Sequence, residues 1–136
     1  IFNTGGNCLF VKKEFEGYFS NEYLLGILCT KLNVYIIKNF INNTVNTQVD
    51  DMKKIPIPIT DKHTKEKIES LVESIITQLN KDPDYPYDEN EQIEIDEIVY
   101  QIYGLDSNLV EEIKDWFIRK YPHLRKNFPK KIQLAQ

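Results

Sequence analysis

Thiols, imidazoles and glycines are scarce in this sequence. It holds two cysteines, two histidines and five glycines in 136 residues. Cys8 and Cys29 stand in no metal-ligand spacing, and neither His63 nor His123 sits in a partner pattern. That speaks against a zinc-finger fold or a disulfide framework. The thiols read as free, which is the expectation for a reducing, cytoplasmic compartment. Gly5-Gly6 is an isolated pair within a turn, so no phosphate-cradling loop is present. There is no Ser/His/Asp or Cys/His set with the context a nucleophile needs. Long apolar runs are missing too. The richest, Tyr23 to Ile41, carries Lys31, Asn33, Lys38 and Asn39. It reads as a buried helix, with no membrane span. No basic start leads into an apolar run with a cleavage site, so no signal peptide is expected. The chain begins at Ile1, within sequence that already reads as folded. The expectation is a piece of a longer protein.

An apolar share of 41% supplies a real core. The net charge is −4, and its distribution is uneven. Asp82 to Asp115 holds twelve Asp/Glu and one lysine, Lys114. Trp116 to Gln136 holds six Lys/Arg and no carboxylate side chain. The plainest reading is a solvated acidic face that pairs with the basic end.

Leu9 to Val11 continue from Cys8 as a short strand after the Asn3–Asn7 turn. Ser20 or Asn21 caps a helix reaching about Phe40. Its apolar residues surround it, so it is sandwiched, and Gly26 inside it implies close approach of another element. Val45 to Val49 is a short strand or an ordered loop. Ile55-Pro56-Ile57-Pro58-Ile59 is extended, either an edge strand or a segment docked by its isoleucines. Thr60 or Asp61 opens a long amphipathic helix to about Asn80, with Ile68, Leu71, Val72, Ile75, Ile76 and Leu79 on one stripe. After a Pro-containing linker come helices from about Glu91 to Tyr103 and from Asp106 or Ser107 to Pro122, parted by Gly104. They form a helical hairpin.

Two stretches invite a catalytic reading. Asp82-Pro83-Asp84-Tyr85-Pro86 faintly echoes the loop by which amino-methyltransferases hold a target base, but consecutive prolines are missing and a linker accounts for it. The carboxylates between Glu89 and Glu97 suggest a nuclease metal site, yet they fall on the polar face of a helix, and solvation explains them. No catalytic residue and no metal site is assigned.

Three blocks carry a resemblance. Asn21 to Leu32 (NEYLLGILCTKL) resembles a segment common in bacterial target-recognition domains, with Cys29-Thr30 where Asn-Ser is usual. Thr47 to Ile59 resembles the segment that closes such a domain. Glu94 to Leu105 (EIDEIVYQIYGL) resembles an element near the end of type IIG restriction–modification enzymes and related phage-exclusion (BREX-type) adenine-N6 DNA methyltransferases. The resemblance implies the C-terminal target-recognition region of such an enzyme. The fold expected is α+β and helix-rich: a small mixed or antiparallel sheet remnant of a target-recognition domain, then a long helix and a helical hairpin. In these terms residues 1–60 are part of the DNA target-recognition domain and 61–81 the long helix. Residues 82–90 are a linker, 91–122 an acidic hairpin and 123–136 a basic tail. S-adenosylmethionine is expected in the parent enzyme and no cofactor in this chain. The implied partners are double-stranded DNA and an upstream methyltransferase domain, with a fused nuclease in some relatives.

Recognition of DNA needs cations that position the phosphates and polar groups that read base edges. Lys12, Lys13, Lys53, Lys54, Arg119, Lys120, Arg125 and Lys126 are the phosphate candidates. Asn42, Asn43, Thr44, Asn46, Thr47 and Gln48 are the base-reading candidates, although an ordinary helix-ending loop has the same composition. The other function considered is a scaffold domain whose acidic hairpin docks to the parent enzyme or to a partner. The acidic stretch would repel DNA and is expected to face away from it.

Overall fold

The computed structural model describes residues 9–44 and 47–123. A short 3-10 turn at Lys13–Phe15 leads to helix α1, Asn21–Leu28. Ser20 caps it: Oγ accepts the Tyr23 N–H at 3.0 Å. The sequence predicts one helix onward to Phe40, but α1 stops and α2 begins at Lys31–Ile36. The two directions differ by 56°. Thr30 makes the break. Its backbone is extended, and Oγ1 accepts from Asn33 N at 3.4 Å while donating to the Ile27 carbonyl at 2.8 Å. Asn33 Nδ2 donates to the same carbonyl at 2.6 Å. Side chains therefore take the backbone groups that a continuous helix would pair.

Helix α2 runs on into a π-helical turn, Ile37–Ile41, closed by Asn42 N–H to the Ile37 carbonyl at 2.7 Å. A one-turn helix α3 follows at Val49–Met52, then the long α4 at Lys62–Lys81, capped by Asp61. A 3-10 turn at Tyr87–Glu89 precedes α5, Glu91–Ile102, and α6, Ser107–Lys120, capped by Asp106. Gly104, at φ 67°, ends α5. Leu105 N–H reaches back to the Tyr100 carbonyl and Gly104 N–H to that of Gln101, both at 3.0 Å. This is a Schellman closure, which only glycine enters without strain.

Helix α4 packs on α1 and α5, while α2 packs on α6 and α5. Tyr23, Ile27, Leu32, Ile68, Val72, Ile95, Val99, Ile113 and Phe117 meet in one core. At Gly26 a Cβ would lie 2.5 Å from Ile68 Cγ2 and 3.2 Å from Val72 Cγ2. The expected close approach is thus that of α4. Beneath the α1–α2 bend sits Asp96 of α5, 3% exposed. Its carboxylate accepts Lys31 N at 3.1 Å, Lys31 Nζ at 2.7 Å and Gln92 Nε2 at 3.2 Å. An anion from α5 thereby occupies the first turn of α2.

The sheet remnant expected from the sequence is corrected: among the described residues there is no β-strand. Leu9 to Val11 have no strand partner, and Val11 N–H goes to Asn21 Oδ1 at 3.1 Å. Of the strand or ordered loop considered for Val45 to Val49, Val45 and Asn46 lie outside the described residues, Thr47 and Gln48 form no strand, and Val49 opens α3. Across Ile55 to Ile59 the prolines remove two ladder donors. Tyrosine hydroxyls take the place of a neighbouring strand. Tyr103 donates to the Pro56 carbonyl at 2.6 Å and Tyr23 to the Pro58 carbonyl at 2.9 Å. Ile55 is buried and Ile57 packs on the core, whereas Ile59 is 67% exposed.

Burial, and then the neighbouring Tyr103 oxygen, push the Tyr23 phenol up to about 12. The protonated phenol is the form the fold favours. Its contribution is therefore complete below the ordinary value of 10.0 and is lost as pH rises toward 12. Alkaline titration by phenolate absorbance should show Tyr23 ionising late, and Tyr23→Phe should remove that late step while detaching the Pro58 strap.

No single helix among the described residues is long and apolar enough to cross a membrane. Helices α1 and α2 with its π turn meet that test only together, and their bend places Tyr23, Ile27 and Leu32 in the core.

Candidate nucleic-acid interface

The end of α2 and the end of α6 lie side by side because Tyr35 and Trp116 meet edge to face, ring centroids 5.4 Å apart. Tyr35 also donates to Glu112 Oε1 at 2.6 Å. Between the π turn and α6 opens a cleft of about 650 Å³. Lys38, Asn39, Phe40 and Ile41 line it from the turn, Asn42 and Asn43 from the loop, and Trp116 and Lys120 from α6. Phe40 is 74% exposed. Among the described residues, no carboxylate lines this cleft.

The loop beside it is held by its own polar groups. Asn42 Nδ2 donates to Asp51 Oδ2 at 2.7 Å, and Asn42 Oδ1 accepts Thr44 N at 2.9 Å and Thr44 Oγ1 at 2.6 Å. Asp51 Oδ2 also accepts Gln48 N at 2.9 Å. Lys38 Nζ donates to the Thr44 carbonyl, clamping the loop to the π turn. The Asn42 amide, followed by the Gln48 N–H, holds the Asp51 carboxyl below its ordinary 3.8. Lys54 and Lys38 act in the same direction. A lowered carboxyl stabilises above the ordinary value and releases as pH falls through the folded one. The loop should therefore loosen first in mild acid below 3.8. Amide exchange of Gln48 and Lys53 across that range checks this, and Asp51→Asn should show the loosened state already at neutral pH.

Among the base-reading candidates, then, Asn42 and Thr44 are engaged in building the loop. Asn43 carries an exposed side chain, Gln48 is exposed but forms a capping box with Asp51 at the start of α3, Thr47 is half-buried, and Asn46 lies outside the described residues. Of the phosphate candidates among the described residues, only Lys120 lines the cleft. Arg119, its neighbour on α6, is exposed. Lys53 pairs with Asp50 at 2.9 Å, and Lys54 faces Asp51 at 3.9 Å. Lys12 and Lys13 are exposed at the first 3-10 turn, away from the cleft lining. Arg125 and Lys126 lie outside the described residues.

Sequence reasoning missed Lys38, Asn39 and Phe40 as site residues, having placed them in a helix body, and it offered no site role for Trp116, which packs against the core as well as lining the cleft. The one available signal was an unpaired aromatic beside Asn and Lys at a helix end. The acidic stretch is partly neutralised from within the fold. Glu94 meets Lys67 at 2.8 Å, Glu97 meets Lys114 at 2.7 Å, and Asp96 meets Lys31. Among the described residues no three His, Cys, Asp or Glu side chains converge as a metal site requires. The cleft offers amides, cations and aromatic faces, which is the chemistry of binding. No protein-family model, curated protein or solved structure matches the chain.

Proposed function

We propose that this chain is a DNA sequence-recognition fragment of a restriction–modification type adenine-N6 DNA methyltransferase, not catalytic by itself. In this reading it works in the cytoplasm on double-stranded DNA. An upstream methyltransferase domain of the same polypeptide binds S-adenosylmethionine, and no residue here is assigned to that cofactor. The observation that carries the proposal is the meeting of the amide-rich loop with Lys38 and Lys120 at one cleft whose described lining holds no carboxylate. Cations beside amides are what phosphate positioning and base-edge reading require.

Duplex binding measured across salt tests it. Phosphate-led binding falls steeply as salt rises, and Lys120→Ala should weaken it for all sequences alike and flatten the salt slope by about one phosphate. In the parent enzyme Gln48→Ala should alter sequence preference more than thermal stability. Unchanged preference with reduced stability would remove the loop as reader. Salt-independent behaviour, or association with a protein through the acidic α5–α6 face and none with DNA, would favour the scaffold function instead.

A further inference from the structure

We infer that the cleft between the π turn and α6 takes one unpaired nucleotide, its base against Phe40 and Trp116 and its phosphate drawn to Lys38 and Lys120. This rests on the DNA-binding proposal and goes beyond it in naming an unstacked base as the ligand. The volume, about 650 Å³, falls within the range of small-ligand pockets. Paired and stacked bases present only their edges, so aromatic faces in a cleft are of use to a base that has left the stack.

Phe40 is poorly placed for a purely structural role. It is 74% exposed, and its ring touches Tyr35 edge-on at 6.0 Å. The exposed part of the ring contributes little to folding, yet a π-helical turn presents it. Such turns are concentrated at functional sites. Trp116 is buttressed from several sides, by Tyr35 at 5.4 Å, Phe117 at 5.1 Å and Tyr121 at 6.1 Å. A ring held this firmly loses little freedom when a ligand stacks on it. Asn39 is oriented by its Nδ2 bond to the Tyr35 carbonyl at 2.8 Å. Its carbonyl oxygen is then an acceptor at the cleft. Two lysines line the site and among the described residues no carboxylate does, Asp51 being held behind Asn42 by its amide, so Lys120 carries most of the attraction for an anion.

The test compares the full chain's affinity for a matched duplex, the same duplex carrying one unpaired nucleotide, and free dAMP. Trp116 is the only tryptophan, so its fluorescence reports on the cleft directly. The bulged duplex should bind about tenfold more tightly than the matched one and quench Trp116, as stacking of one base implies. Phe40→Ala, at an exposed position, should leave the fold intact and abolish that preference. Competition by dAMP would support the same chemistry with a free nucleotide as its source. Its failure at large excess would support a nucleotide within a strand. Equal affinity for both duplexes, or a preference that survives Phe40→Ala, would overturn the inference and leave the DNA-binding proposal standing. Binding to no nucleic acid would overturn both.

Discussion

Asp96→Ala should lower the unfolding free energy by about 3–5 kcal/mol, the range for breaking a buried ion pair. Asp96 is 3% exposed, and its carboxylate serves three donors on two helices. Removing it leaves the Lys31 ammonium in a poorly solvated position and the Lys31 N–H at the start of α2 without its acceptor. Lys31 retains some exposure, so partial rehydration holds the cost toward the lower end. Asp96→Asn keeps the shape and an oxygen acceptor but not the charge, and should recover part of the loss. Chemical denaturation of the three proteins gives the ordering wild type, Asn, Ala. An alanine variant as stable as wild type would mean that the pair contributes nothing beyond a hydrophobic replacement.

Ile68→Ala and Gly26→Ala should each destabilise, and the pair together should cost less than their sum. Ile68 is fully buried, and its truncation removes a core side chain at about 2–5 kcal/mol. A Cβ at Gly26 would meet Ile68 Cγ2 at 2.5 Å, a branched methyl on a packed helix that cannot swing aside. Overpacking of this kind costs about 1–3 kcal/mol, offset by the better helix propensity of alanine. Once Ile68 is truncated, the colliding methyl is gone and the Gly26→Ala methyl refills part of the cavity. A double-mutant cycle should therefore show favourable coupling. Strict additivity would mean that α1 and α4 already move apart to admit the methyl.

Gly26 was visible before the fold was known, and Asp96 was not. Gly26 stands out because glycine within an apolar helix weakens it unless something comes close. Asp96 was hidden, since one carboxylate among twelve on an acidic stretch looks solvated. Only the packing of α5 beneath the α1–α2 bend buries it. The long amphipathic α4 and the α5–α6 pair were legible from period and caps, because Asp61, Asp106 and Gly104 carry end signals in their own chemistry. The helix break was not. Thr30 is a modest helix former anywhere, and it becomes a cap only when Asn33 and the Ile27 carbonyl take its neighbours' bonds.

The strand expectation failed for a related reason. Prolines at 56 and 58 pointed to a non-helical segment, and the residues form no regular structure, but whether such a segment pairs is not a local property. Whether such a segment joins a ladder depends on a neighbour, and here the neighbours are the hydroxyls of Tyr23 and Tyr103. By itself the sequence determined the long α4 and the α5 and α6 helices, their ends and their apolar faces, since those follow from caps and periodicity within a few residues; it did not determine the one-turn α3 or the break between α1 and α2. Only the tertiary structure decided that Phe40, Asn43, Trp116 and Lys120 share a cleft. Residues so far apart in the chain meet through core packing of α2 on α6, which no local pattern encodes.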